Sequence, residues 1–249
     1  MSKFCVTAAS RVGCVRSNNE DMVLAYDKFI RSDVYETEVS TDYLDRFVIA
    51  LADGMGGHNA GEIASEMTLS NLKYYVNDLP RGFSSEKLED AMRDWLHSVN
   101  YMVDSKGHTE PSMLEMGTTL VAVLYYEGHF YWMNCGDSRL YRLRDGKLTQ
   151  LTTDHSLNNT SNVHKHSNVI TNCIGGGCKN SYIDMEDFTE DIQAGDVYMI
   201  CSDGLNDMVP DDVIERLLAE GATANRLCEE AIEYGGYDNV SSCVLRVMN

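Results

Sequence analysis

Two apolar segments of the sequence end in the same acid–glycine pair. The run "FVIALAD" ends at Asp53 and is followed by Gly54, and "DVYMICSD" ends at Asp203 and is followed by Gly204. Aspartate and glycine together are common in tight turns, so each pair can be a turn and nothing more. The alternative is that two core strands deliver their terminal carboxylates to one point. Both interpretations remain open from these residues alone.

Two further acids have the same setting, a turn after a strand-like run. They are Asp137 in "CGDSR" and Asp238 in "GYDNV", each beside glycine or a small polar residue. Glycine permits a sharp turn and lets the backbone approach a ligand closely, so a carbonyl such as that of Gly54 can itself be a ligand. Taken singly, each acid is more simply a turn residue, but four such acids together favour a site for hard cations such as Mg²⁺ or Mn²⁺. A cation would also relieve the repulsion between neighbouring carboxylates.

The elements that must position these acids alternate between strands and pairs of helices. Strands are predicted at 3–9, 21–27, 47–53, 118–126, 129–135, 138–151, 196–203 and 241–247. Helices are predicted from apolar spacing and from capping residues at 61–79, 84–103, 210–220 and 223–235. The sequence "RDGK" at 144–147 indicates a tight hairpin. The order predicts an α+β fold with helices packed outside antiparallel sheets.

The composition excludes several classes of protein. The 249 residues are 43% hydrophobic, enough for a large core, and carry 20 basic against 39 acidic residues. No basic stripe suited to nucleic acid is visible, and no apolar run approaches the roughly 20 residues that span a bilayer. The start of the chain does not resemble a signal peptide. The 8 scattered cysteines are interpreted as reduced small hydrophobes, which predicts a cytoplasmic protein.

Six motifs in order carry a resemblance that covers nearly the whole chain. The motifs are "RSNNED" (16–21), "DGMGGHNAGEIAS" (53–65), "MGTTLVAVL" (116–124), "GDSRLYRLRDGKLTQLTTDHS" (136–156), "GDVYMICSDGLNDMV" (195–209) and "GGYDNVSS" (235–242). Together they resemble the metal-dependent protein serine/threonine phosphatases of type 2C, in the compact bacterial form. The resemblance implies a single domain over 1–249, a four-layer αββα sandwich of two antiparallel sheets flanked by helix pairs, and a monomer.

The resemblance also implies a site for two Mn²⁺ or Mg²⁺ ions. Asp53 would bridge both ions and Gly54 would give its carbonyl to the first. Asp203 and Asp238 would hold the second ion. Asp137, with Asp203, would hold the third ion that some bacterial members bind.

Four other residues receive supporting roles from the same resemblance. Glu20, Asp21 and Asn239 would orient the ligands and their waters from behind. Arg16 would bind the phosphate of the substrate, for which its planar fork of donors is well matched. The two ions would activate a water for in-line attack on phosphorus without a protein nucleophile.

The implied function is hydrolysis of phosphoserine and phosphothreonine in proteins, opposing a bacterial serine/threonine kinase and acting on its targets. Two alternatives remain. A binding protein that has lost catalysis would lack metal acids, and none of the matched acids is lost. A two-metal hydrolase of another phosphoester is disfavoured for nucleic acid by the acidic composition, but not for small substrates.

The chain departs from the family pattern at three places. Met55 stands where eukaryotic members carry a histidine proposed as general acid, so the proton donor is left open; His58 is a candidate near the cleft, or a surface or capping residue. His155 is interpreted as structural, holding a turn. The flap segment around 154–180 is shortened, and its polar stretch at 157–167, with His164, Lys165 and His166, predicts a more open cleft.

Overall fold

The computed structural model describes residues 3–56, 60–157 and 169–248. The described strands are β1 (Lys3–Arg11), β2 (Met22–Ala25), β3 (Lys28–Ile30), β4 (Val34–Ser40), β5 (Arg46–Ala52), β6 (Gly54–Met55), β7 (Gly117–Thr118), β8 (Leu120–Tyr126), β9 (His129–Cys135), β10 (Arg139–Arg144), β11 (Lys147–Gln150), β12 (Ile174–Gly175), β13 (Asp184–Asp187), β14 (Val197–Cys201) and β15 (Val240–Met248). The described α-helices are α1 (Gly61–Asp78), α2 (Ser85–Gly107), α3 (Asp203–Asn206), α4 (Asp211–Ala219) and α5 (Ala224–Glu233).

Two six-stranded antiparallel sheets form the centre of the described structure. The first has the strand order β11-β10-β14-β15-β1-β4 and the second β13-β9-β8-β5-β2-β3. In the first sheet β1 pairs along its whole length with β15, from Lys3 opposite Met248 to Arg11 opposite Val240. The α+β prediction and the four-layer arrangement of two sheets between helix pairs are confirmed.

The alternation of side chains along β5 shows how the layers are built. Val48, Ala50 and Ala52 pack toward α1 and α2, whereas Ile49 and Leu51 pack toward the other sheet. Both faces of this strand are therefore buried, which explains why its sequence is continuously apolar instead of alternating. A third core lies between the first sheet and the helices α4 and α5.

Capping and side-chain contacts fix the helices near their predicted bounds. The Ser84 hydroxyl accepts from the Lys87 amide and caps α2, while the Trp95 indole donates to Asn71 Oδ1 at 2.7 Å and joins α2 to α1. None of the helices in the described ranges combines the length and apolarity needed to cross a bilayer. The eight cysteines are all free thiols, as their scattered placement predicts.

A small third sheet, ordered β12-β7-β6, lies at the ends of the large sheets. Strand β6 begins at Gly54, directly after Asp53, and pairs with β7, which also pairs with β12. The chain is thus held by pairing with β7 immediately beyond the carboxylate at Asp53. This small sheet is what positions the first of the candidate acids.

Candidate active site

Asp53 stands in the link between β5 and β6, and its backbone is fixed by two threonines. Its amide donates to Thr119 Oγ1 at 3.0 Å, and its carbonyl accepts from the Thr119 amide at 2.9 Å and from Thr118 Oγ1 at 2.8 Å. With both backbone groups bonded, the side chain has a defined direction. Thr118 and Thr119 lie in the sequence "MGTT", which begins one of the six motifs. The sequence alone gave these two threonines no role.

The turn that carries Asp137 is tied to the same threonines. The hydroxyls of Thr119 and Ser138 share a hydrogen bond of 2.7 Å. A Cβ at Gly136 would lie 2.6 Å from Thr119 Cβ, so only glycine lets this turn approach so closely. Asp53 and Asp137 are therefore positioned by one polar network although they are far apart in sequence.

His155 fixes the other side of that turn. Its Nδ1 accepts from the Gly136 amide at 3.2 Å and from Asn172 Nδ2 at 2.8 Å, so Nε2 carries the hydrogen and donates to Asp184 at 2.9 Å. The side chain is 6% exposed and has all its ring nitrogens engaged. The structural interpretation of His155 is confirmed.

Asp203 begins the short helix α3 directly after β14, where Gly204 allows a very close contact. A Cβ at Gly204 would lie 2.0 Å from the Asn239 carbonyl oxygen. The absence of a side chain thus lets the Asp203 turn rest on the turn that carries Asp238. Gly204 therefore serves the geometry of this contact.

Asn239 joins this second turn to the loop that contains Arg16 and Glu20. Its Nδ2 donates to the carbonyls of Val12 at 3.0 Å and Asn18 at 2.8 Å, and its Oδ1 accepts from the Glu20 amide at 2.8 Å. The side chain is 4% exposed. One amide group therefore satisfies three backbone groups and holds the two loops together.

Glu20 and Asp21 support the site in different ways. Glu20 Oε1 accepts from the Gly61 amide at the start of α1, at 3.2 Å, and the Glu20 carbonyl accepts from Ser65 Oγ at 2.6 Å. Asp21 is fully buried and accepts from Ser202 Oγ at 2.8 Å. Among the described residues, Asp21 Oδ1 has no hydrogen-bond partner. A buried carboxylate oxygen without a donor is costly and marks a place where a water or a cation would be stabilised.

Arg16 and Asp238 form an ion pair at the opening of the site. Arg16 Nη2 lies 2.7 Å from Asp238 Oδ2, and the side chains are 53% and 36% exposed. The hydrogen bond to Asp238 raises the pKa of the guanidinium. The predicted phosphate ligand and one predicted metal ligand are therefore bound to each other in this arrangement.

These residues surround one cleft of about 420 Å³. Its lining residues are Arg16, Glu20, Asp53, Gly54, Met55, Gly56, Ile170, Cys173, Gly176, Asp203 and Asp238. Of the predicted site residues, Asp21, Asp137 and Asn239 stand behind this lining. Ile170 and Cys173 add an apolar wall that the sequence did not indicate.

The carboxylates raise one another's pKa values. Burial raises the pKa of Asp53 well above its usual range, and the charges of Asp21 and Asp203 add to the rise. Burial, followed by the charges of Asp137 and Asp238, raises the pKa of Asp203 to about 7. Burial is the larger cause of these shifts, and the proximity of like charges adds to it. A divalent cation is the ligand that such a site binds most readily.

Two residues behind the cleft have pKa values raised mainly by burial. For Asp21 the value rises to about 6 in spite of the neighbouring hydroxyls of Ser241 and Ser202. For Asp137 it also rises to about 6, with the charge of Asp154 contributing. Burial raises the pKa of Glu20 as well.

The carboxylate and carbonyl oxygens of the cleft are the type of ligand that hard cations bind, but they do not form a complete coordination shell in this arrangement. In the described ranges, no group of three or more His, Cys, Asp or Glu side chains could together hold a metal ion as it stands. To bind an ion, the Asp238 carboxylate would have to release the Arg16 guanidinium. The carboxylate oxygens of the lining, the raised pKa values and the Asp21 oxygen without a hydrogen-bond partner nevertheless match Mg²⁺ or Mn²⁺ rather than a softer metal.

Some predicted features lie outside the described residues. They are His58 and residues 158–168 of the predicted flap segment, including His164, Lys165 and His166. The described end of the flap segment contributes Ile170, Cys173 and Gly176 to the cleft.

Comparison with known proteins gives consistent matches. A family model described as protein phosphatase 2C matches residues 32–232. The serine/threonine protein phosphatase PstP of Mycobacterium tuberculosis is 34% identical over 256 residues, which cover 97% of this chain and 45% of PstP. The chain thus spans about half the length of the relatives that it matches first.

Solved structures match over nearly the full length of both chains. The serine/threonine phosphatase of S. agalactiae has a TM-score of 0.82 and 27% identity, covering 98% of this chain and 99% of that one. The catalytic domain of PstP in complex with two manganese ions has a TM-score of 0.75 and 33% identity, covering 100% of each chain.

Proposed function

The chain belongs to the protein phosphatase 2C family, and from this premise we propose that it hydrolyses phosphoserine and phosphothreonine esters in proteins. The observation that carries the proposal is the cleft itself. It has a guanidinium at its opening, Arg16, next to carboxylates whose pKa values are raised by burial and by one another. An anionic phosphate and divalent cations are the ligands that this combination of charges suits.

The cofactor of the proposed reaction is Mn²⁺ or Mg²⁺, as two ions. Asp53 and the Gly54 carbonyl would hold the first, and Asp53, Asp203 and Asp238 the second, with Asp137 and Asp203 available for a third. When bound, such ions supply a water of lowered pKa as nucleophile and stabilise the charge of an in-line displacement. The PstP catalytic domain, solved with two manganese ions, supports this cofactor.

The chain's own side chains have positioning roles in this proposal. Arg16, once released from Asp238, would bind two phosphate oxygens with its planar fork. Asn239 and Glu20 would keep the Arg16 loop at a fixed distance from the Asp238 turn. Met55 lines the cleft and cannot donate a proton, so the leaving alkoxide would take its proton from water.

We also propose a domain extent, an oligomeric state, a cellular location and a class of substrate for the chain. The chain would act as one type 2C domain over 1–249, with a shortened flap around 154–180, as a cytoplasmic monomer. Its substrates would be phosphorylated proteins, among them a bacterial serine/threonine kinase and that kinase's targets. The acidic composition, with 39 acidic against 20 basic residues, supports protein over nucleic acid as substrate.

The test is hydrolysis of a phosphothreonine peptide with saturating Mn²⁺. We expect activity that chelator removes and that Asp53→Asn or Asp203→Asn lowers by at least about a hundredfold, since a charge-stabilising ligand is lost. Asp42→Asn, at an exposed position away from the cleft, is the matched control. Absence of turnover by the unaltered protein would favour a binding role, and turnover of small phosphoesters alone would favour a metabolite hydrolase.

A further inference from the structure

Two loops meet at the opening of the cleft, and their contact is unusually close. The Cys14 amide donates to the Gly236 carbonyl at 2.7 Å. A Cβ at Gly13 would lie 2.1 Å from the Asp238 carbonyl oxygen. With the Arg16–Asp238 ion pair, these contacts join residues 13–16 and 236–238 into one rigid rim.

Each loop of this rim exposes one large apolar side chain. Val15 is 63% exposed and Tyr237 is 64% exposed. Val15 precedes Arg16 and Tyr237 precedes Asp238, so each apolar residue is one position from a member of the ion pair. Apolar surface at the edge of a binding cleft indicates a contact surface, in contrast to single apolar residues scattered elsewhere.

The Tyr237 ring is also held in place. A Cβ at Gly235 would lie 3.0 Å from Tyr237 Cε2 and 3.3 Å from Cζ, so the ring packs against the glycine backbone. Gly235 has φ of +129°, a conformation that other residues rarely adopt. One side of the ring is supported and much of the rest is exposed, so a ligand would meet it with little loss of side-chain entropy.

The acidic charges around the cleft disfavour acidic substrates, so we expect apolar contacts to supply substrate affinity beyond the phosphate. Arg16 is the only cationic side chain in the lining among the described residues, whereas Glu20, Asp53, Asp203 and Asp238 are acidic. The chain has a formal charge of −19. Acidic residues of a phosphopeptide would be repelled, whereas an apolar side chain would gain by burial against Val15 and Tyr237.

We propose that Val15 and Tyr237 form a specificity surface that binds an apolar side chain two positions from the phosphorylated residue of the substrate. The inference rests on the proposed phosphatase function. In an extended peptide successive side chains point to opposite faces, so the side chain two positions away, about 6.6 Å along the peptide, shares the face of the phosphorylated residue and falls beside Arg16 when the phosphate is bound to it. The surface selects the sequence around the phosphorylation site.

The test compares matched phosphothreonine peptides with leucine or serine at the position two before or two after the phosphothreonine. Both peptides are equally charged, so the comparison isolates apolar contact. With Mn²⁺ we expect kcat/KM for the leucine peptide to be about tenfold higher at one of the two positions, equal to about 1.4 kcal/mol, and the difference to appear in KM. In Tyr237→Ser the ratio of kcat/KM for the leucine peptide to that for the serine peptide falls to about 1–2. Val15→Ser also lowers this ratio.

Tyr101→Ser is the matched control, since Tyr101 is 75% exposed on α2 and does not line the cleft; this variant keeps the preference for leucine. Thermal unfolding of each variant establishes that it is folded, and Val15→Ser tests the surface if Tyr237→Ser does not fold. Equal kcat/KM values for the two peptides in the unaltered protein, or a ratio that survives both rim variants, overturn the inference alone. If the unaltered protein hydrolyses neither peptide, the proposed function fails and the inference fails with it.

Discussion

Arg16 donates to Asp238 at 2.7 Å, and this pair places the proposed phosphate ligand and a proposed metal ligand in direct competition. A cation that binds Asp238 must displace the guanidinium, and a displaced guanidinium is free to bind phosphate. Binding of the ion and of the phosphate would therefore be linked through one exposed ion pair. The motifs that contain Arg16 and Asp238 do not indicate that these two side chains form a pair.

Arg16→Ala is expected to tighten Mn²⁺ binding by roughly 1.5- to fivefold. The reason is that the ion no longer competes with an exposed ion pair, and such pairs are worth about 0.2–1 kcal/mol. Isothermal titration calorimetry of Mn²⁺ measures the change. Arg81→Ala, which removes the exposed Arg81–Asp45 pair elsewhere on the surface, is the control and should leave the affinity unchanged. Weaker Mn²⁺ binding in Arg16→Ala would show that the pair does not compete with the ion.

The metal-free protein is expected to lose stability as the pH rises from about 4 to 7. Asp203 has a pKa of about 7 in the folded protein, against about 3.9 in an unfolded chain. Between these values the folded state binds more protons than the unfolded state, so the free energy of unfolding falls as the pH rises. Thermal unfolding in chelator should show a Tm lower by several degrees at pH 7.5 than at pH 5, since each kcal/mol shifts Tm by about 2–4 °C at this size.

Asp203→Asn identifies the group responsible. The amide cannot ionise, so the fall of Tm between pH 5 and pH 7.5 should be smaller in this variant, and Mn²⁺ should stabilise it less at pH 7.5. Asp42→Asn, at an exposed position, should keep the full fall. Because Asp21 and Asp137 have pKa values of about 6, part of the fall remains in Asp203→Asn. An unchanged pH dependence in Asp203→Asn would contradict the assignment.

The sequence predicted the four longer helices and the buried strands of the two large sheets because each has a strong apolar pattern. It did not predict the four-residue α3, whose first residue, Asp203, falls in a predicted strand. It missed β4, at Val34–Ser40, whose sequence "VYETEVS" carries two glutamates and pairs only with β1 at the edge of its sheet. Charged side chains on an edge strand protect it from pairing with another chain, and they also hide it from a hydrophobicity pattern. The short strands β6, β7 and β12 were missed because two residues cannot show a period.

For the candidate site, the sequence predicted which acids would gather but not what holds them. Asp53, Asp203 and Asp238 each follow a turn signal, and all three line one cleft. The bonds from Thr119 to Asp53 and from Ser202 to Asp21 link positions 66 and 181 residues apart in the chain. Contacts of this kind depend on strand order and register, and no local pattern encodes them.

Asn239→Ala is expected to destabilise the protein by about 2–5 kcal/mol. The amide satisfies three backbone groups, those of Val12, Asn18 and Glu20, and each buried group left without a partner costs about 1–3 kcal/mol. Urea unfolding in chelator measures the loss without any effect of bound metal. Asn180→Ala, at an exposed position, should change stability by less than about 0.5 kcal/mol. A loss for Asn239→Ala no larger than that of the control would mean that water replaces the three bonds.

Gly204→Ala is expected to weaken Mn²⁺ binding at least about tenfold while the protein remains folded. The added Cβ would lie 2.0 Å from the Asn239 carbonyl oxygen, so the Asp203 turn must move away from the Asp238 turn. Overpacking of this kind costs about 1–3 kcal/mol, and it separates two acids proposed to share an ion. Gly56→Ala lies in the same cleft, but its Cβ would meet Met116 Cα at an ordinary 3.4 Å. Calorimetry of Mn²⁺ should therefore distinguish the two variants, and equal affinities would show that the close contact at Gly204 does not set the distance between the acids.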